Sequence, residues 1–412
     1  MIKTNNMPRT QPLSGFRDFL PSEVRKRTWL RDQMIKVFEK WGYEPIETPT
    51  VEPLEIFQGE IGEDEKLFFK FTDLGGRNVA LRYDQSVPTC RFVGANFSKI
   101  ILPFRRYQIQ SNFRAEKPQR GRYREFVQAD IDIFGVASPT ADAETIAMSI
   151  DLYKTLGFKK VVALINNRDL MKDIPYPAIV AIDKLKKIGK DGVIRDMNNK
   201  GISNKQAEEY LFKVESLQPD ETITTIFSYL ERAGFDKEYY EFSPTLARSF
   251  SYSQGPIWEM VIPQYDAGSV GGGERYDGLM ERTTGLKIPA TGIAFGFDRT
   301  LEALEVCKLL PKFTAITKVL VSVFSPDFWD TSVTLASQIR EAGIATEIYP
   351  QKDIKLDKQL KYADRRGIPY VIILGPNEIE KGVVTLKDFA SKTQLVVARE
   401  TLVEALKAAI NR

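Results

Sequence analysis

Residues 113–135 read FRAEKPQRGRYREFVQADIDIFG, and the fold turns on how this stretch alternates. Successive side chains of a strand point to opposite faces, so Val127, Ala129, Ile131 and Ile133 share a core face while Gln128, Asp130 and Asp132 share the other. Just upstream, Arg114, Lys117, Arg120, Arg122 and Arg124 place five cations in eleven residues around the turn KPQRG. Taken alone, such a charge run reads as a solvated hairpin tip. Set beside an acidic strand face, it fits a ligand that is anionic at one end and cationic at the other.

The neighbouring text extends the sheet. NVALRYD (78–84) and PFRRYQIQSNFRAE (103–116) read as strands, and with RYREFVQADIDIFG they make an antiparallel sheet. YEPIETPTVEP (43–53) is extended, and Pro45 and Pro49 confine it to an edge because proline donates no ladder hydrogen bond. SEVRKRTWLRDQMIKVFEKW (22–41) has helical apolar spacing, with Ser22 as the expected cap and Gly42 as the stop. A helix is expected over 141–157, a buried strand at KKVVALIN, and a polar helical insertion over about 168–240. PIWEMVIP and GIAFGFDRTLEALEVCK resume the sheet, the latter running from strand into helix. Residues 1–310 thus form one domain, 311–318 a linker, and 319–412 a second domain in which strands and helices alternate.

Composition narrows the chemistry. At 412 residues and 43% hydrophobic content the chain can bury a large core in two or three domains. A net charge of +3, from 58 basic and 55 acidic residues, leaves any phosphate binding to local patches. Cys90 and Cys307 have no CxxC neighbour, no apolar run is long enough to span a bilayer, and MIKTNNMPRT has no secretory core; a cytoplasmic protein with no membrane partner is expected. The chain contains no histidine, which excludes triads, HExxH sites and every other mechanism that needs a protein imidazole. It also has neither GxxxxGK[ST] nor GxGxxG, so a bound nucleotide cannot use the P-loop or Rossmann cradle.

Together, FRAE, GIAFGFDR and residues 16–51 resemble motifs 2, 3 and 1 of the class II aminoacyl-tRNA synthetases. GFRDFLP, LRYD, RGRYREF, IDIFG, IDKLKKIG, ERYDGL and YADRRGIPYVIILG resemble the histidyl-tRNA synthetase family, in the same order along nearly the whole chain. The resemblance implies an α+β fold: an antiparallel-sheet catalytic core with a helical insertion, then a C-terminal α/β anticodon-binding domain. It implies ATP-dependent activation of L-histidine and transfer to histidine tRNA by a homodimer. ATP would be held by Arg114, Glu116 and Arg299, with Mg2+ riding on the phosphates and no dedicated set of protein metal ligands. Arg114, Arg248 and Arg299 would be the catalytic cations. Asp84 and Gln128 would take the α-amino group, Asp132 and Tyr276 the imidazole, and Arg248 and Tyr252 would complete the histidine site. Lys117 and Gln119 would approach the tRNA acceptor end.

The chain departs from the family where relatives carry something like RGLDYYTG and this chain reads RSFSYSQG (248–255). Ser251 replaces an aspartate, Ser253 replaces a tyrosine, and Glu274 stands where a third glycine of GGGRYDGL is expected. These changes bear on amino-acid selection, not on the fold. They keep two alternatives in view: a class II ligase with changed specificity, and a non-catalytic paralogue sensing histidine or uncharged tRNA. Retention of Arg114, Arg248 and Arg299 argues against a sensor, which has no need of a triphosphate clamp.

Overall fold

A computed structural model of the chain describes residues 10–57, 67–118, 122–248 and 252–411. They fall into two compact units, divided between Pro311 and Lys312. In the first, the alternating QADID text forms β6 (Glu125–Phe134), which pairs with β5 (Phe104–Phe113) so that Arg106 faces Asp132 and Gln108 faces Asp130. The sheet continues through β11 (Ala290–Gly296), β10 (Gly271–Arg275), β9 (Gln254–Val261) and β7 (Val162–Asn167), every pair antiparallel. Two short edges join in parallel: β1 (Glu44–Pro45) beside β5, and β8 (Tyr240–Phe242) beside β7. Pro45 sits at the edge, as its missing N–H requires.

One face of this sheet is a core. Ala129, Ile131, Ile133, Ile293, Phe295, Trp258 and Met260 are buried there. Against them pack α1 (Pro21–Lys40), α3 (Pro139–Thr155) and α9 (Phe297–Val306), with Leu30, Met34, Val37 and Phe38 as the buried stripe of α1. The start of α1 differs from expectation. Pro21 occupies the first turn, where its fixed φ suits a helix, and no side chain caps the end; Ser22 therefore lies inside the helix. Gly42, at φ 77°, turns the chain away from the other end.

A second difference lies between NVAL and the long hairpin. β2 (Val51–Pro53), β3 (Lys70–Thr72) and β4 (Asn78–Leu81) form a separate small sheet, and α2 (Ser86–Ala95) follows at once, where the sequence reads as strand text. At the start of this helix Asp84 accepts the Val87 amide at 3.3 Å, an interaction invisible to strand periodicity.

In the insertion, α4 (Tyr176–Ile182), α5 (Leu185–Asn199) and α6 (Asn204–Glu215) bury Ile179, Val193, Met197, Leu211 and Val214 in a core of their own. The following α7 (Glu221–Arg232) instead sends Ile223, Ile226 and Leu230 into the main core. α8 (Asp277–Thr284) follows β10.

The second unit is a five-stranded sheet ordered β13 (Thr346–Ile348), β12 (Val319–Val321), β14 (Tyr370–Ile373), β15 (Val383–Asp388), β16 (Thr393–Ala398). The first three strands are parallel and the last two pairings antiparallel. It carries α10 (Trp329–Glu341), α11 (Leu356–Arg366), α12 (Pro376–Glu380) and α13 (Leu402–Ile410), and Val319, Val321, Ile339, Ile372, Leu402 and Leu406 fill its core. Among the described residues, no helix is long and apolar enough to cross a membrane.

Candidate active site

The other face of the large sheet is polar, and its register can be followed strand by strand. Arg106, Gln108, Gln110 and Asn112 project from β5, and Gln128, Asp130 and Asp132 from β6. In the middle lie Gly292, Ala294 and Gly296 of β11 and Gly272 of β10, which carry little or no side chain. Glu274 and Glu259 project from β10 and β9 on the far side. The face is therefore a low floor between two acidic walls.

The first wall is tightly wired. Arg106, fully buried, forms an ion pair with Asp132, whose other oxygen accepts the Tyr276 hydroxyl. Burial pushes the Asp132 carboxyl up, while Arg106 and Tyr276 pull it back. Asp132 leans over Gly292, where a Cβ would come within 1.9 Å of Oδ1. Asn112 donates to Gln128, and Gln85 ties the backbones of β5 and β6 by donating to Gln110 O at 3.1 Å and Gln128 O at 3.2 Å. Next to Gln85, Asp84 gives one oxygen to Val87, and its buried Oδ2 has no hydrogen-bond partner among the described residues. Burial raises the Asp84 pKa to about 6, against the pull of the Val87 amide and Arg114. A buried carboxylate oxygen without a partner is costly, and here it would be satisfied by a cationic donor such as an α-ammonium group.

The cations gather at the other end. Arg114 follows β5 directly, lies over the Tyr83 and Phe126 rings at 4.3 and 5.1 Å, and donates to Tyr83 O at 3.4 Å. Arg299, near the start of α9, donates to Ser269 O at 2.9 Å. Its pKa is lowered by burial and then by the charges of Arg122 and Arg114. Among the described residues neither Arg114 nor Arg299 makes an ion pair, and a polyanion here would relieve the repulsion that Arg122 and Arg114 exert on Arg299. Arg248 stands between the two ends, paired through Nε and Nη2 with Glu274 at 3.2 and 3.3 Å. Burial opposes its charge, but Glu274 and Glu259 outweigh that and raise its pKa.

The face thus assembles Asp84, Gln128, Asp132, Tyr276, Arg114, Arg248 and Arg299. Tyr252 is buried with Tyr276, and Asp84 and Glu274 add to burial in raising its pKa. Glu116 pairs with Arg122 at 3.4 Å at the strand end, and Lys117 is exposed beside it. Gln119, Arg120 and Ser251 lie outside the described residues. No group of three or more carboxylates and thiols gathers to hold a metal among the described residues. A separate cavity of about 650 Å³ lies at the small sheet, between Val51–Glu55 and Asp73–Val79, and shares no residue with this set.

Two functional neighbours were missed in the sequence. The period-two run RRYQIQSN does place Arg106 on the face of Asp132, and that signal was available. Arg168, which donates to Ala247 O at 3.1 Å and Arg248 O at 3.4 Å, gave none. Arg82 and Asp298 turn out to be internal fasteners. Arg82 donates to Ser111 O, Thr48 O and Gln110 Oε1 at 2.7 to 2.8 Å. One oxygen of Asp298 takes Arg17 and Arg27 at 2.9 and 2.5 Å, and the other takes the Val127 amide at 3.1 Å.

A mostly antiparallel sheet backed by helices, followed by a second unit of alternating strands and helices, has the architecture of a class II aminoacyl-tRNA synthetase. The family model for histidyl-tRNA synthetase matches residues 15–190, and that for an anticodon binding domain matches 318–409. The histidine–tRNA ligase of Rhodopirellula baltica is 36% identical over 98% of this chain and 99% of its own length. That of Wolinella succinogenes is 36% identical over 92% of this chain and 93% of its own. The crystal structure of histidyl-tRNA synthetase from Nostoc sp. PCC 7120 superposes with a TM-score of 0.80 at 27% identity, covering 98% of this chain and all of that one. The chain belongs to the histidyl-tRNA synthetase family.

Proposed function

We propose that the chain is a histidine–tRNA ligase, acting in the cytoplasm as a homodimer. It activates L-histidine with ATP and transfers the histidyl group to the 3′ end of histidine tRNA. The observation that carries this reading is the buried Oδ2 of Asp84, which has no hydrogen-bond partner among the described residues and lies close enough to Arg114 and Glu274 to feel their charges.

In the first step an oxygen of the histidine carboxylate attacks the α-phosphorus of ATP, and the bond to pyrophosphate breaks. Asp84 and Gln128 hold the α-ammonium, and Asp132 with Tyr276 and Tyr252 forms the ring end. Arg114 and Arg248 meet the charge developing at the α-phosphate, and Arg299 the γ-phosphate; bidentate guanidinium contacts suit both. Glu116 lies on the adenine side. A magnesium ion accompanying the ATP would supply further positive charge. In the second step a terminal ribose hydroxyl of the tRNA attacks the histidyl carbonyl, the bond from that carbonyl to the phosphate breaks and AMP leaves, with Lys117 and Gln119 near the acceptor end. With no imidazole in the chain, a phosphate oxygen of the adenylate takes the hydroxyl proton.

The test is amino-acid-dependent ATP–pyrophosphate exchange, with each of the twenty amino acids tried alone. Histidine is expected to support exchange and the others not. Exchange with another amino acid would replace the specificity, and exchange with none would overturn the ligase reading.

A further inference from the structure

The contact between Glu274 and Arg248 has no part in the steps above. Glu274 meets the arginine side-on with both oxygens, at 3.2 and 3.3 Å, and the Ser253 hydroxyl donates to the same carboxylate. The two charged side chains are 9% and 13% exposed. A Cβ on Gly272 would come to 1.8 Å from Arg248 Nη1, so the guanidinium occupies the space that the missing side chain leaves on the strand floor. Its backbone is held as well: φ is 47°, uncommon for a residue with a side chain, and Arg168 donates to its carbonyl. A surface arginine samples many rotamers; this one has a single seat.

We propose that Glu274 is a positioning residue for Arg248, fixing the guanidinium plane in the orientation that meets the reacting carboxylate and α-phosphate, with Ser253 fixing Glu274 in turn. The inference rests on the ligase reading given above. Two parallel N–H···O bonds orient a planar fork as one bond cannot. A cation already aimed where charge develops needs no reorganisation at the moment of reaction. The anion also competes with the substrates for Arg248, so Glu274 gives up ground-state affinity for orientation. Its loss should therefore appear in kcat and not in KM.

The experiment is histidine-dependent exchange by the full chain, comparing wild type with E274A, E274Q and S253A. Rates are normalised to active sites counted from the burst of adenylate. E274A is expected to lower kcat by about tenfold or more while both KM values stay within about threefold. E274Q keeps the volume and one acceptor oxygen and should lose less; S253A should shift kcat in the same direction by a smaller factor. A merely structural role would reduce the active fraction and leave kcat per site unchanged. That result, or a loss lying wholly in KM, overturns the proposal. Absence of exchange in the wild type overturns the ligase reading and this inference with it, whereas wild-type exchange with an undiminished E274A overturns the inference alone.

Discussion

Asp132 and Glu274 face each other across a single glycine: each is the direct register partner of Gly292, one from β6 and the other from β10. The missing side chain at 292 is what lets Asp132 lean into the floor. Gly292→Ala would place a methyl 1.9 Å from Asp132 Oδ1 and 2.5 Å from Ile131 O, so Asp132 must leave its seat. The KM for histidine in exchange should rise by about tenfold or more, with the KM for ATP little changed. Unchanged histidine kinetics would remove Asp132 from the pocket.

Asp84 makes a prediction about stability and pH. Its pKa in the folded protein is about 6, above the ordinary aspartate value of 3.8, so between those values the folded state binds more protons than the unfolded one. Stability therefore falls as pH rises through this window, and the penalty is fully present above it. The size is about 3 kcal/mol at pH 7 and roughly half that at pH 5. Asp84→Asn should raise the melting temperature at pH 7, gain less at pH 5, and abolish histidine-dependent exchange. A melting gain independent of pH would show that the carboxylate is not strained by burial.

Arg299 is depressed by burial and by its cationic neighbours, and a triphosphate would relieve it. Arg299→Ala should raise the KM for ATP by about tenfold or more while the KM for histidine moves little, measured by exchange under saturating partner substrate. Equal effects on both would take Arg299 off the phosphates.

Arg248→Ala should leave the protein folded by circular dichroism and bring adenylate formation to background. Retained exchange would refute a role for Arg248 at the reacting centre.

Sedimentation equilibrium should give about twice the 46.8 kDa chain mass for the active species. An active monomer would refute the homodimer.

The large sheet was legible because β6 is buried on one face and polar on the other, so Val127 to Ile133 spell their own orientation. That Arg114 and Arg299 come close enough for their charges to interact was legible through their motifs. Helix α2 was not: Ser86–Ala95 begins with an Asp84 contact that strand alternation conceals. Nor was the seat of Arg248. It pairs with a residue 26 positions away, and Glu274 reads in sequence only as an unexpected charge after three glycines. Contacts between strands distant in the chain leave no periodic trace.

Asp298 sets a ruler for the whole site. One carboxylate holds Arg17 and Arg27 on one side and the Val127 amide, next to Gln128, on the other, while its chain neighbour is Arg299. On the proposed assignment, the distance between the ends that take histidine and the γ-phosphate is thereby fixed through a single side chain. Two substrates that must meet atom to atom are gauged from one common datum, and an error of placement at either end is shared by both.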